Sequence, residues 1–371
     1  MLDTSAGFLV DEGRLDALEI GAAVLGTGGG GNPYIGKLRA REALRQGYVM
    51  RVIPLEALPD DAVVVSVGGI GAPLVSHERI KQVSEGLRCV RALEKHLAIS
   101  VDAIVCEEIG GQNAMEPLIT ASMAGLPVVD CDGMGRAFPE MQMTTFSIFG
   151  HCSTPSVMCD PHGNAVIFEH AISEKWHERM ARACVVAQGG ASTLASAPMS
   201  GRFLKQYSIP QSYSQAIRLG EAVVAARQAH ADPIRAICDS ENGEVVFRGK
   251  IVDLKRKIEG GFVRGTVMVQ GFDGYEGQVG SVLIQNENLV FSRDGVAEVV
   301  VPDLIVILDI DTGAAITTEM LRYGQRVAVL ALPCHPLLRS EAALEVVGPR
   351  GFGLDLAYRP MGRAEKERKP S

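Results

Sequence analysis

The sequence predicts an α/β protein with a parallel-sheet N-terminal domain and a C-terminal β-rich domain. In the first 170 residues, short apolar runs alternate with stretches of helical periodicity, which is typical of crossover connections in a parallel sheet. From about residue 232, β-rich runs alternate with turn signals roughly every 10 to 14 residues. The chain has 371 residues, which favours more than one domain. We predict an N-terminal α/β domain over 1–170, a helical segment packing on it over 171–231, the β-rich domain over 232–360 and a disordered tail over 361–371.

The individual elements follow from the hydrophobic pattern. Apolar residues at helical spacing predict a helix over 11–25, which the glycine-rich run at 26–33 ends. The β-branched run at 62–67 predicts a strand buried on both faces, followed by a glycine turn at 68–71. The same reasoning predicts further helices over 34–46, 77–97, 113–124, 173–188 and 212–231, and further strands over 49–55, 103–106, 126–129 and 165–169.

Composition restricts the class of function. The formal net charge of −8 disfavours a nucleic-acid partner. No run of about 18 apolar residues predicts a membrane span, and the N-terminus lacks the pattern of a signal peptide. The eight cysteines form no CxxC pair, which favours reduced thiols. We therefore expect a cytoplasmic protein that acts on a small molecule, with a homo-oligomer left open.

Acidic and glycine-rich segments follow three predicted strands. They are GGIG at 68–71, EEIGG at 107–111 and DCDGMGR at 130–136. Ligands of an open parallel sheet bind beyond the carboxyl ends of its strands, so we expect four carboxylates to meet there, namely Glu107, Glu108, Asp130 and Asp132. Close carboxylates can divide acid and base roles or bind a metal.

Two neighbouring features could bind an anionic part of a substrate. Arg136 could clamp a carboxylate, or it could pair with Asp132 at a helix start. The glycines Gly28, Gly29, Gly30 and Gly31 could form a nest of N–H groups for an anion, or only a tight turn.

A metal site is a further possibility that the sequence leaves open. His151 and Cys152, with Asp132, are the candidate ligands of a divalent metal such as zinc, although their spacing matches no standard zinc finger. Cys152 could instead be a catalytic thiolate. The QNEN segment at 285–288 could bind a ring through its amides or simply turn the chain.

An ordered set of motifs resembles a known family. The motifs are LGTGGGGNPYIG (25–36), EEIGGQNAMEP (107–117), DCDGMGRAFPEMQM (130–143), QNENL (285–289), PDLIVILD (302–309) and GPRGFGLD (348–355). Together they resemble the S-methyl thiohydantoin desulfurase-like family. The resemblance implies an N-terminal α/β domain, a C-terminal β-rich domain and hydrolysis of an S-methylated thiohydantoin carrying a propionate. That reaction releases methanethiol, leaves a hydantoin and belongs to ergothioneine catabolism.

We therefore interpret the chain as a hydrolase of a hydantoin-type ring. Asp130 or Asp132 is the expected base, and Glu108 is expected to stabilise positive charge on the ring. The expected substrate-binding residues are Glu107, Asn113, Arg136 and the glycines at 28–31. Two alternatives are a hydantoin ring-opening amidohydrolase, or a partner subunit of one, and a non-catalytic small-molecule sensor.

Overall fold

Two large β-sheets, one small sheet of two short strands and the helices packed on them make up the part of the chain that the structure describes. The computed structural model describes residues 6–71, 75, 82, 84–259 and 262–361. The strands are β1 (Phe8–Leu9), β2 (Arg51–Ile53), β3 (Val63–Gly71), β4 (Ala103–Cys106), β5 (Val128–Val129), β6 (Cys131–Asp132), β7 (Ser156–Cys159), β8 (Ala165–Phe168), β9 (Ala191–Ala195), β10 (Met199–Ser200), β11 (Ile209–Pro210), β12 (Glu244–Glu259), β13 (Phe262–Gly271), β14 (Val279–Gln285), β15 (Glu287–Arg293), β16 (Val296–Val300), β17 (Leu304–Asp309) and β18 (Arg326–Leu332). The α-helices are α1 (Glu12–Leu25), α2 (Pro33–Arg45), α3 (Glu85–Leu97), α4 (Glu116–Ala124), α5 (Thr145–Ile148), α6 (Glu174–Ala187), α7 (Gly201–Tyr207), α8 (Ser212–Gln228), α9 (Pro233–Glu241) and α10 (Glu341–Val347).

The first sheet has a parallel centre and antiparallel flanks. Its strand order is β1-β2-β5-β4-β3-β9-β7-β8, with β10 paired to β3. Strands β2, β5, β4 and β3 are parallel, whereas β1, β9, β7 and β8 join antiparallel. The predicted α/β class is confirmed. The sheet is mixed and not wholly parallel, because β9 pairs antiparallel with β3 and β1 pairs antiparallel with β2.

The glycine turn predicted at 68–71 is wrong. Gly68, Gly69, Ile70 and Gly71 continue β3 and pair with β9. Their N–H and C=O groups take part in the hydrogen bonding between β3 and β9, which the local sequence does not predict. The missing side chains also leave space at the end of the strand, where a cavity lies.

Helices α1 and α8 pack together at close range. A Cβ at Gly21 would lie 1.8 Å from the carbonyl oxygen of Ala216, and a Cβ at Gly220 would lie 1.8 Å from that of Ala17. Because only glycine fits at such a distance, these two positions set the separation of the helices.

The second sheet is wholly antiparallel, in the order β16-β15-β14-β13-β12-β18-β17. One face packs around Phe247 and Phe291. From β17 and β18, Leu304 and Leu330 join the same buried cluster as Leu15 and Leu18 of α1. The two sheets therefore share one hydrophobic core.

Some predicted segments fall partly outside the described residues. The helix predicted over 77–97 is seen as α3, and its first part lies outside them, as does 362–371 of the predicted tail. The segment predicted as helical over 171–231 contains α6, α7 and α8, and it also supplies β9 and β10 to the first sheet. Within the described chain, no helix has the length and apolar character needed to cross a membrane.

Candidate active site between the two sheets

A cavity of about 170 Å³ lies where the two sheets meet. One wall comes from the ends of β3 and β4 and from the loop that precedes α5. The opposite wall comes from the turn between β14 and β15 and from residues 318 and 319. The glycines at 29–31 line the cavity between these walls. A site at the carboxyl ends of parallel strands is the usual position for a ligand in an α/β sheet.

The glycine-rich segment joins the two walls through its backbone. Its residues Thr27, Gly28, Gly30 and Gly31 have positive φ angles of 50°, 89°, 68° and 73°. The amide of Thr318 donates to the carbonyl of Gly28 at 2.7 Å, and the amide of Asn288 donates to that of Thr27 at 2.8 Å. The left-handed backbone therefore turns carbonyl groups toward the second sheet, which binds them.

Glu287 packs against this segment and faces the cavity. A Cβ at Gly29 would lie 2.0 Å from Oε1 of Glu287, so glycine is required for the approach. The side chain is 2% exposed, and Oε2 has no hydrogen-bond partner among the described residues. Burial raises the pKa of Glu287 to about 8, although the Arg136 charge and the Gly30 amide oppose the shift. The glycine segment thus lies against a carboxyl group of the protein itself.

Glu108 lies on the cavity wall that β4 supplies. The amide nitrogen of Asn113 donates to Oε1 of Glu108 at 2.7 Å. The Asn113 amide is itself oriented by Gly69, whose N–H donates to Oδ1 at 2.7 Å. Burial raises the pKa of Glu108 well above its usual range, and the nearby Glu287 charge raises it further. Glu108 is therefore held in a fixed position and favours its protonated form.

Glu107 faces the same cavity with different hydrogen bonds. Its Oε1 accepts from the hydroxyls of Ser66 at 2.8 Å and Ser196 at 2.9 Å. Its Oε2 lies 3.6 Å from the position that a Cβ would take at Gly68, which lines the cavity. Burial raises the pKa of Glu107, whereas the two serine hydroxyls lower it. Glu107 is thus the cavity carboxyl group whose anion receives direct hydroxyl donors.

Asp132 lies behind this wall and binds backbone amides. Its Oδ2 accepts from the N–H groups of Ile109 at 2.8 Å, Gly135 at 2.8 Å and Met134 at 3.3 Å. It is fully buried, and burial raises its pKa to about 7. It fixes the two loops that follow β4 and β6, and it is not among the residues that line the cavity.

Asp130 lies at a different place, at the start of α8. Its Oδ1 accepts from the amides of Tyr213 and Ser214, and its Oδ2 accepts from the Ser214 hydroxyl at 2.5 Å. These bonds cap the helix. Asp130 lines a separate cavity with Glu56 and Gln211. The structure therefore brings Glu107 and Glu108 together and leaves both aspartates out of their cavity.

Arg136 is fully buried between the two sheets. Its guanidinium donates to the carbonyls of Pro302 at 3.1 Å and Asp303 at 3.0 Å, and to the hydroxyl of Thr27 at 2.7 Å. Burial lowers the pKa of Arg136 to about 10. Its donors connect the glycine segment to the chain before β17, and it does not line the cavity.

The candidate metal ligands have separate surroundings. Nε2 of His151 lies 3.2 Å from the carbonyl oxygen of Ala197, Cys152 is exposed, and Asp132 holds the loops described above. Across the residues that the structure describes, no three His, Cys, Asp or Glu side chains form a group that could hold a metal.

Sequence reasoning missed several cavity residues, and Glu287 and Arg182 are the two on which the proposals below depend. Glu287 lies within the QNEN segment at 285–288, where the expected ligand contacts were those of the amide side chains. Those amides bind backbone: Oδ1 of Asn286 accepts from Val263 N–H at 2.8 Å, and Nδ2 of Asn288 donates to Ile305 at 2.9 Å. Arg182 of α6 also lines the cavity. Glu287 could have been noticed as a charged residue at the start of an apolar strand. Arg182 could not, because it is one of many charged residues in its helix.

Comparisons with known proteins agree with this architecture. Residues 13–170 match the family model described as S-Me-THD-like, N-terminal domain, and residues 172–361 match S-Me-THD-like, C-terminal domain. An X-ray crystal structure of a protein from Chromobacterium violaceum has a similar fold, with a TM-score of 0.80 and 23% sequence identity over 95% of this chain and 100% of that chain. No curated protein matches the sequence significantly. Because the two family models cover nearly the whole chain, the resemblance is confirmed and the protein belongs to the S-methyl thiohydantoin desulfurase-like family.

Proposed function

We propose that the protein is a hydrolase that removes methanethiol from an S-methylated thiohydantoin-type ring and leaves a hydantoin. Membership of the family supports a related activity on such a ring. The observation that carries the proposal is a group of three glutamates, Glu107, Glu108 and Glu287, around one small cavity. Burial raises the pKa of all three, and carboxyl groups with different environments can serve as acid and base.

Glu108 is the proposed acid. The ring carbon that bears the S-methyl group is electrophilic, and it becomes more so when the adjacent ring nitrogen receives a proton. The raised pKa of Glu108 favours its protonated form, and Asn113 holds its carboxyl group in place. A neutral acid in this position donates a hydrogen bond and then its proton to the ring nitrogen.

Glu107 is the proposed base. The hydroxyls of Ser66 and Ser196 stabilise its anion, and this anion takes a proton from the attacking water. The water oxygen bonds to the ring carbon, and the carbon–sulfur bond breaks with its electron pair going to sulfur. One proton of the water ends on methanethiol, and the other returns to Glu108. The products are a hydantoin with a ring N–H and one molecule of methanethiol.

The test is methanethiol release by the purified protein from a panel of S-methyl thiohydantoins. We expect Glu108→Gln to slow turnover by about 10²- to 10⁴-fold, the usual contribution of a general acid. Glu298→Gln is the matched control, because Glu298 pairs with Arg293 at the surface of the second sheet. Its turnover should equal that of the wild type.

Other outcomes would replace the proposal. Ring opening of plain hydantoin without methanethiol release would favour an amidohydrolase. Tight binding of the ring compounds without any turnover would favour a sensor. Normal turnover by a folded Glu108→Gln variant would remove Glu108 from the acid role.

A further inference from the structure

The cavity contains one positively charged side chain among the described residues that line it, and this is Arg182 of α6. The other charged lining residues are all acidic, namely Glu107, Glu108, Glu140, Glu287 and Glu319. A single cation on an otherwise acidic wall gives a ligand group of negative charge one favourable charged contact.

Arg182 is held in place by the protein and remains partly open to the cavity. Its Nε donates to Oε1 of Glu178 at 2.6 Å, and Nη2 donates to the carbonyl of Pro139 at 3.2 Å. Nη1 makes a longer contact of 3.5 Å with the carbonyl of Gly71. The Arg182 side chain is 32% exposed, whereas that of Glu178 is 8% exposed. The Glu178 carboxylate therefore contacts the buried edge of the guanidinium, and the other edge stays accessible.

The hydrogen-bonding capacity of Arg182 exceeds these contacts. A guanidinium has five N–H donors, and the contacts to Glu178, Pro139 and Gly71 use three of them. Within the described chain, one N–H on each terminal nitrogen is left for a ligand. Two N–H groups of this kind suit a carboxylate better than a neutral carbonyl group.

Strand β3 is contacted both by Arg182 and by the residue that positions Glu108. Asn113, which positions Glu108, binds Gly69, and Arg182 contacts Gly71 two residues further along. A strand rises about 3.3 Å per residue, so Gly69 and Gly71 are separated by about 7 Å along it. The side chain that orients Glu108 and the Arg182 guanidinium therefore lie beside the same strand, two residues apart.

We propose that Arg182 binds an anionic group of the substrate in this cavity. Glu178 positions the guanidinium, and Arg182 makes the direct contact. The choice of ring rests on the proposed function, whereas the contact between Arg182 and an anionic group does not depend on the reaction.

Equilibrium binding of two hydantoins tests the proposal. The probes are hydantoin-5-propionate and the neutral hydantoin-5-propionamide, and calorimetry gives both dissociation constants. We expect the wild type to bind the acid at least about 10-fold more tightly than the amide. Arg182→Met should weaken acid binding by about 10- to 100-fold, the range for hydrogen bonds to a charged group, and should change amide binding by less than about threefold.

Two further variants keep the test decisive. Arg179→Met removes an arginine of the same helix that lies over the Trp176 ring, and it should leave both affinities unchanged. Arg182→Lys keeps the charge beside Glu178 if the methionine variant unfolds, and it should retain part of the preference for the acid. Equal weakening of both ligands, or a wild type without preference for the acid, would overturn the proposal.

The reaction assay separates this inference from the proposed function. Acid preference that depends on Arg182, without methanethiol release from any S-methyl thiohydantoin, would support the contact and reject the reaction. Methanethiol release without acid preference would support the reaction and reject the contact.

Discussion

Replacing Glu287 with glutamine removes a buried proton-binding group from the cavity wall. The pKa of Glu287 is raised from 4.5 to about 8 because the carboxyl group is buried. The folded state therefore binds this proton more tightly than the unfolded state does. As the pH rises from about 4.5 toward 8, Glu287 progressively lowers the free energy of unfolding. With these two pKa values, the loss between pH 6 and pH 8 is about 2 kcal/mol.

Urea denaturation of the wild type and Glu287→Gln at pH 6 and pH 8 measures this contribution. The glutamine side chain does not titrate, so the free energy of unfolding of the variant should fall by about 2 kcal/mol less than that of the wild type. Comparing the falls rather than the absolute values removes any constant effect of the amide. Glu298→Gln, at an exposed ion pair with Arg293, should behave as the wild type. An identical fall in the wild type and Glu287→Gln would refute the burial argument.

Two further substitutions test the structural roles of Asp130 and Gly29. Asp130→Ala should lower the free energy of unfolding by about 1 to 2 kcal/mol, because it removes the cap of α8. The rate of methanethiol release should stay unchanged. Denaturation and kinetic assays measure the two quantities, and lost turnover at unchanged stability would contradict the capping role. Gly29→Ala should lower the same quantity by at least about 1 kcal/mol, because its Cβ would lie 2.0 Å from Glu287. Gly13→Ala is the matched control, since its nearest atom would lie at 3.5 Å, and equal effects of the two alanines would refute the contact.

The sequence predicts those parts of the fold that local pattern determines. The run at 62–67 and the segment at 103–106 are apolar and continuous, and both form parallel strands. The segment at 191–195 contains small and polar residues, so nothing local indicates that it becomes β9. Its place between β3 and β7 depends on long-range pairing, and the same pairing converts Gly68 to Gly71 from an expected turn into a strand.

In the candidate site, too, the local sequence predicts the position of some residues, whereas long-range packing determines the position of others. Glu107 and Glu108 follow a predicted strand, and they reach the expected edge of the sheet. Asp130 follows a neighbouring strand, but α8 lies beside it and takes both of its oxygens. The opposite wall comes from Glu287, which lies far along the chain in another sheet. Its approach to Gly29 depends on how the sheets pack, and a sequence pattern does not contain that information.

The position of β9 has a consequence for any attempt to divide the protein. The two family models meet between residues 170 and 172, yet β9 follows that boundary and lies inside the first sheet. A fragment ending at residue 170 would lose the strand between β3 and β7 and would expose two unpaired edges, which are prone to aggregate. The two halves are therefore not independent folding units. A chimera of two relatives joined at this boundary requires a β9 that pairs with the β3 and β7 of the other relative.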